Sequence, residues 1–346
     1  MPVKREFEDL TVDGRNVRLR IFLPDCPNPR PAVLMVCGLF FLGGGLMGRI
    51  GLFYNDNFGF FFARAGVVCV QVHTPCRHMA HTRMLELICL VVWPLMMIYY
   101  LSYAVLVMDV LLLAVTPIDL CFLLLVPLLP NYMHMMSVLP VIHLAMRSGQ
   151  WLQGILPWPK NPSTNAEIAA ASEWMRKNTD RLCSDGRIVL CGYSSGGHGA
   201  SLHAFEAASP RYESVILVSG LYDLRTSWTD YRRFFAPVFN MLYQDCYGAS
   251  DADARLKASP EAVVPKKVEG DWYVLSARCE LMGLQPLQDM IFKSEPLCTA
   301  LAAAGAKVNR VQCGMNHWTL ILAINGFIEP FCRNLIEQSS SGSTGK

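Results

Sequence analysis

Short apolar runs alternate with amphipathic stretches along most of the chain, and this pattern predicts strands and helices in turn. Apolar runs of about four to eight residues between turn residues are typical of strands buried in a parallel sheet. A capping box, Thr164-Asn165-Ala166-Glu167, opens a helix predicted at residues 164–178. The predicted strands are residues 31–36, 66–72, 187–191, 214–218, 271–276 and 307–311, and the other predicted helices are residues 196–208, 286–304 and 320–336.

The order of these elements indicates an α/β fold, with a mostly parallel central sheet covered by helices on both faces. Residues 7–23 precede the alternation and predict a hairpin, which adds antiparallel strands at one edge of the sheet.

One long apolar block interrupts the alternation. Between Glu86 and Arg147 the only formal charges are Asp109 and Asp119. Residues 87–108 carry no charge and are long enough to cross the core of a bilayer as a helix. The pattern favours an inserted membrane helical segment, and a very hydrophobic helix pair in a soluble core is the alternative.

The block is an insertion into the α/β domain, because predicted strands of one sheet lie on both sides of it. It must therefore cross the bilayer an even number of times, as a hairpin, or re-enter; a shallow monotopic embedding is the alternative. Residues 1–84 and 149–336 are predicted as the two halves of the α/β-domain, residues 85–148 as the membrane-embedded insertion, and residues 337–346 as a disordered tail.

Composition narrows the classes of function. The 346 residues are 52% hydrophobic and 17% charged, which excludes a disordered or low-complexity chain. The net charge of +2 gives no support to nucleic-acid binding through a basic surface. Thirteen cysteines without a Cys-x-x-Cys pair or zinc-like spacing fit a reducing compartment, and neither a metal site nor a cofactor is predicted.

The flanks of the apolar block predict its orientation. The chain starts without the apolar region of a cleavable signal peptide. Basic residues outnumber acidic ones near the block (Arg77, Arg83, Arg147 and Lys160 against Glu86), so the positive-inside rule places the globular part on the cytosolic side. We expect an integral or monotopic membrane protein facing the cytosol, with the endoplasmic reticulum as a candidate membrane.

The segment Gly192-Tyr193-Ser194-Ser195-Gly196 carries the clearest chemical signal, since it lies between a predicted strand and a predicted helix. A serine in a Gly-x-Ser-x-Gly motif at such a junction sits on a tight turn, and its hydroxyl is pushed out above the sheet as a nucleophile. The alternative is a glycine-rich turn with an ordinary serine. Ser195 does not have glycines both two residues before it and two residues after it, and its backbone N–H is instead a candidate oxyanion donor.

With this motif the chain resembles the α/β-hydrolase superfamily. The likeness is to the esterase/lipase branch, which includes hormone-sensitive-lipase-like enzymes, kynurenine formamidases and isoprenylcysteine methylesterases. It covers roughly residues 15–78 and 155–335 and leaves the apolar block as an extra piece. The resemblance implies a triad of Ser, then Asp or Glu, then His, in that chain order.

The other triad members follow from the resemblance. His317, in Cys313-Gly-Met-Asn-His317, lies on a loop after a late strand and matches the family's general base. Glu280, a few residues past the strand at 271–276, matches the acid, and Asp223 and Asp289 are the alternatives. In this arrangement Glu280 orients His317, which takes the proton of Ser194 as the serine attacks an acyl carbon.

The oxyanion loop departs from the family pattern. Where the family has His-Gly-Gly, this chain has Cys37-Gly38-Leu39-Phe40. Backbone N–H groups of Gly38 or Leu39, with that of Ser195, remain the expected donors. The absence of the histidine leaves open the conformation of this loop and the level of activity.

The position of the apolar block bears on the substrate, because in this fold the segment after the fourth strand runs above the catalytic end of the sheet. The leading hypothesis is a membrane-bound serine hydrolase that cleaves carboxylic esters of lipid or hydrophobic substrates through an acyl-enzyme. One alternative is a formamidase or amidase that acts on a small aromatic substrate. Another is a non-catalytic scaffold or complex subunit. The expected partners are the lipid bilayer and a hydrophobic ester, with no nucleic acid.

Overall fold

A single sheet of eight strands organises the described part of the protein. The computed structural model describes residues 2–25, 30–37, 45–73, 164–206, 212–224, 252–277, 293–313, 320 and 324–341. The strand order is β1-β2-β4-β3-β5-β6-β7-β8. The strands are β1 Val3–Val12, β2 Arg15–Pro24, β3 Arg30–Cys37, β4 Val68–His73, β5 Ser184–Tyr193, β6 Ser214–Val218, β7 Asp271–Ala277 and β8 Lys307–Cys313.

Strands β3 to β8 run parallel, and the register between β3 and β5 shifts once, between Arg30 and Ala32. In β3 every residue after Arg30 is buried, as the uninterrupted apolar run Ala32–Val36 requires of a strand covered on both faces. The carboxyl ends of β3, β5, β6, β7 and β8 therefore meet at one edge of the sheet, and this edge carries the candidate site.

Strand β2 runs antiparallel to β1 and β4 and forms the predicted hairpin. Its two-residue turn is Asp13-Gly14, and both residues have positive φ, 48° and 75°. Type I′ hairpin turns require this backbone, which is why Asp-Gly is favoured in them. The hairpin is thus specified by its local sequence.

Helices cover both faces of the sheet. Their bounds are α1 Gly45–Arg64, α2 Thr164–Lys177, α3 Thr179–Leu182, α4 Ser195–Phe205, α5 Ala252–Ala258, α6 Glu295–Ala303 and α7 Asn325–Ser341, with a 3₁₀ helix at Pro260–Ala262. One apolar core joins the sheet to α2, α4 and α6, and a second joins the other face to α1 and α7. This two-layered cover confirms the predicted α/β architecture.

Several predicted boundaries need correction. Helix α1 and helix α5 lie where no helix was predicted. In the segment predicted as a helix at 286–304, the described helix α6 begins only at Glu295, where Pro296 occupies the first turn. The predicted helix at 320–336 ends later than expected: Leu320 is helical, and α7 runs from Asn325 to Ser341, so it extends into the tail that was predicted to be disordered.

The predicted membrane insertion, residues 85–148, lies outside the described residues. Within the described ranges, no helix is both long enough and apolar enough to span a bilayer.

Candidate active site

Ser194 occupies a strained turn between β5 and α4. Its backbone angles are φ 56° and ψ −123°, a combination that residues other than glycine rarely adopt and that costs about 1–3 kcal/mol. The main chain holds the turn on both sides. The N–H of Ser194 donates to the carbonyl of Val218 at 2.8 Å, and its own carbonyl accepts from the N–H of Gly197 at 2.9 Å. The predicted strand before the motif and the predicted helix after it are both present.

Ser194 is also partly exposed, unlike its neighbours in an otherwise buried segment. From Ile188 to Ser201 every residue except Ser194 is buried. The neighbouring Ser195 is only 6% exposed. The turn therefore leaves Ser194 partly accessible at the carboxyl edge of the sheet, whereas Ser195 is buried.

Two glycines allow the close approach of helix to strand at this turn. A Cβ on Gly192 would lie 2.4 Å from the carbonyl oxygen of Gly196 and 2.8 Å from Cβ of Ala200. A Cβ on Gly197 would lie 3.2 Å from Cα of Gly220, at the end of β6. The first contact is too short for any side chain, so Gly192 is required by the packing.

Helix α4 begins at Ser195, immediately after the turn. Because a helix amino terminus carries partial positive charge, negative charge developing on an atom bound at Ser194 would be stabilised there. The position of Ser195 at this terminus fits its predicted role as an oxyanion donor.

A second strained turn, which the sequence analysis missed, lies beside the first. Ser219 follows β6 with φ 45° and is 2% exposed, and its N–H donates to the carbonyl of Leu275 at 2.8 Å. The N–H of Gly220 donates to the hydroxyl of the buried Tyr222 at 3.1 Å. The Ser219-Gly220 pair after a short apolar strand is the sequence signal for this turn.

Cys37 ends β3 in the place where the family pattern has histidine. Its side chain is 6% exposed, and burial raises the pKa of the thiol well above its usual range. Since the thiolate is the nucleophilic form, Cys37 is protonated and inert at neutral pH. Its side chain belongs to the apolar core between the sheet and helices α1 and α7.

The structure places the other predicted residues as follows. Asp223 lies on the partly buried segment after β6. Gly38, Leu39, Glu280, Asp289 and His317 lie outside the described residues. In the sequence, Gly38 directly follows the end of β3, Glu280 comes three residues after the end of β7, and His317 comes four residues after the end of β8. In the described part of the chain, no group of His, Cys, Asp and Glu side chains is arranged to hold a metal ion.

Strand order, strand direction and the turn at Ser194 together define the α/β-hydrolase fold. The chain is similar to an esterase from Pyrobaculum calidifontis, with 15% identity, a TM-score of 0.55, and coverage of 97% of this chain and 85% of that one. It is also similar to a thermostable esterase from Pseudomonas putida, with 16% identity, a TM-score of 0.54, and coverage of 96% and 81%. Carboxyl esterase 2 from Tuber melanosporum has 13% identity, a TM-score of 0.54, and coverage of 96% and 86%. No protein-family model and no curated protein sequence matches the chain.

Proposed function

We propose that this protein is a serine hydrolase that cleaves carboxylic esters, with Ser194 as its nucleophile. The observation that carries the proposal is the partial exposure of Ser194, within the otherwise buried segment 188–201, on a strained turn at the carboxyl edge of the sheet. Strain of this kind persists only where surrounding contacts hold it, and it concentrates at functional sites. The solved structures that the fold resembles are esterases by name.

The reaction would proceed through an acyl-enzyme. Oγ of Ser194 attacks the acyl carbon while His317 takes its proton, and Glu280 orients the imidazole and balances its charge. The N–H groups of Ser195 and of Gly38 or Leu39 stabilise the oxyanion of the tetrahedral intermediate. When this intermediate collapses, the alcohol leaves and receives the proton from His317. Water then hydrolyses the acyl-serine by the same steps.

We further propose a lipid or other hydrophobic ester as the substrate. The support is the apolar block of the sequence, which enters and leaves the α/β-domain between β4 and α2. A membrane segment so close to the catalytic edge would deliver substrate from the bilayer. In the same proposal the domain faces the cytosol, and the endoplasmic reticulum is the candidate membrane.

The first test is labelling by a fluorophosphonate probe, which reacts with activated serines. We expect the full-length protein to be labelled, Ser194→Ala to lose all labelling, and the control Ser195→Ala to remain labelled. Absence of labelling in the wild type would sink the proposal and favour a non-catalytic scaffold.

A second test identifies the acid and the substrate class. We expect Glu280→Gln to lower kcat by about 10³-fold or more, whereas Asp223→Asn and Asp289→Asn change it little.

Long-chain acyl esters in lipid vesicles should be hydrolysed faster than short-chain esters in solution. Turnover of an N-formyl aromatic amine in preference to both esters would favour the formamidase alternative.

A further inference from the structure

A buried histidine, His198, lies one helical turn beyond Ser194 on α4. Its side chain is 2% exposed, and its Nε2 lies 2.7 Å from the carbonyl oxygen of Ala258. Because a carbonyl only accepts hydrogen bonds, Nε2 carries the proton and donates the hydrogen bond to Ala258. Burial lowers the pKa of His198 to about 4, so the ring is neutral at pH 7. The ring is thus a fixed donor of one hydrogen bond.

The acceptor belongs to a segment that is itself fastened to the end of β6. Ala258 is the last residue of α5, and the next residue, Ser259, is fully buried. The hydroxyl of Ser259 accepts the N–H of Leu224 at 2.8 Å. The N–H of Glu261 donates to the carbonyl of Tyr222 at 3.2 Å. The segment from Ala258 to Glu261 is therefore held against the residues that follow the Ser219 turn.

These contacts connect Ser194 to α4 by a second route. The N–H of Ser194 donates to Val218 at the end of β6. The residues that follow β6 are hydrogen-bonded to the 258–261 segment, and this segment accepts the hydrogen bond from His198 of α4. We propose that His198 is a positioning residue, which holds the strained turn of Ser194 in its reactive geometry by fixing α4 to this segment. The inference rests on the proposed function, since it assigns His198 a role in that same site.

The same helix supplies a matched control. His203 is as buried as His198, at 1% exposed, and burial lowers its pKa to about 4 as well. Its Nε2 lies 2.8 Å from the hydroxyl of Tyr212, which in turn lies 2.8 Å from the hydroxyl of Ser172 on α2. His203 therefore holds the far end of α4, about two and a half turns from Ser194. Removing either histidine should lower stability, but only His198 should affect reactivity.

The experiment compares His198→Phe, His198→Gln and His203→Phe in the full-length protein. The rate of fluorophosphonate labelling is measured per folded molecule, with the folded fraction taken from urea unfolding. We expect His198→Phe to lower the rate by about 10- to 100-fold, since a shift near 1 Å in a reacting group has effects of this size. With an ester substrate kcat should fall while KM stays unchanged.

His198→Gln should restore most of the rate, because a glutamine amide nitrogen can donate from nearly the same place as Nε2. His203→Phe should label within about twofold of the wild type, whatever its stability. Labelling of His198→Phe at the wild-type rate would overturn the inference while leaving the proposed function intact. If the wild type itself is not labelled, both the function and the role assigned to His198 are contradicted.

Hydrogen exchange provides a readout that does not depend on activity. The amides of residues 197 and 198 donate to the carbonyl of Ser194. His198→Phe should speed exchange at these two amides, and His203→Phe should speed exchange at Ala204 and Phe205 instead. Unchanged exchange at residues 197 and 198 in His198→Phe would show that the Ala258 contact does not hold the turn, and the inference would then be wrong.

Discussion

The turn at Ser194 and the hairpin turn at Asp13 both require positive φ, but they are stabilised in opposite ways. In the hairpin, φ values of 48° and 75° match the turn type that joins twisted antiparallel strands, and both turn residues are exposed. At Ser194 the strained backbone is held by main-chain hydrogen bonds and by the close contact of Gly192 with Gly196. The first turn is set locally, and the second depends on the packing around it.

The polar contacts of the two regions differ in the same sense. Around α4 the polar groups are buried, as in the contact of His198 with Ala258. On the hairpin, the pair of Arg18 with Asp9 lies at the surface, with side chains 63% and 44% exposed, whereas the pair of Arg20 with Asp56 of α1 is mostly buried. Water already satisfies exposed charges, so surface pairs contribute little to stability, whereas buried polar groups are sensitive to any change of partner. Substitutions near Ser194 should therefore have larger effects than those in the exposed Arg18–Asp9 pair.

The largest effect is expected from Gly192→Ala. The added Cβ would lie within 2.8 Å of three atoms, two of which belong to the backbone of Gly196 and cannot move aside independently. We expect a loss of about 3 kcal/mol or more in the free energy of unfolding, at the upper end of overpacking effects, and loss of fluorophosphonate labelling. The control is Gly326→Ala, whose Cβ would meet nothing within 4 Å. Equal stability of both variants in urea would contradict the packing argument.

Acid should destabilise the α4 region before it affects the hairpin. The folded-state pKa of His198 and of His203 is lowered to about 4 from an ordinary value of 6.5. The unfolded chain therefore binds protons first, and the stability contributed by the neutral rings is lost as the pH falls from 6.5 towards 4. Each histidine contributes a slope of about 1.4 kcal/mol per pH unit in that window.

We expect a combined loss of roughly 2–3 kcal/mol between pH 6.5 and pH 5, measured by urea unfolding at constant ionic strength. His203→Gln should remove about half of this slope. The pKa of Asp9 is lowered from 3.8 by its hydrogen bond to Arg18, so any contribution of that pair is lost only below this window. A flat profile from pH 6.5 to pH 5 in the wild type would contradict the assignment of neutral buried histidines.

Replacing Ser194 by glycine should separate strain from function. Glycine adopts positive φ without a steric penalty, and relief of about 1–3 kcal/mol of strain is offset by about 0.5–1 kcal/mol of extra backbone entropy. We expect Ser194→Gly to be more stable than Ser194→Ala by about 1 kcal/mol, with neither variant labelled. The same comparison at Asp13, glycine against alanine, tests whether strain at the hairpin is as large. Equal stability of the two Ser194 variants would show that the turn is not strained.

The sequence was sufficient for the elements whose pattern is local. Strand β6 has the predicted bounds because its four apolar residues, Val215–Val218, lie between polar or turn residues on both sides. The capping box gave the start of α2 at Thr164. The Gly-x-Ser-x-Gly motif located the turn at Ser194, because its first glycine, Gly192, leaves room for the backbone of Gly196.

Other features depend on contacts between distant parts of the chain and could not be predicted. Helix α1 has four glycines and a run of three phenylalanines, which lower its helix propensity and hide the helical period. Its stability therefore comes from packing on the sheet. The contact of His198 with Ala258 joins residues 60 positions apart. Nothing in the spacing of the sequence indicates which carbonyl a buried histidine will reach.

The smallest effect is expected on the hairpin surface. Arg18 donates two hydrogen bonds to Asp9, at 2.7 Å and 3.0 Å, yet both side chains are largely in water. We expect Arg18→Ala and Asp9→Ala, alone and together, to leave Tm without a measurable change, because water replaces the lost partner. The single and double variants form a cycle that isolates the pair, and 0.5 M salt should not alter the result. A clear drop in Tm for either single variant, reversed in the double variant, would show that hairpin ion pairs stabilise the fold as buried contacts do, and the contrast between the two regions would fail.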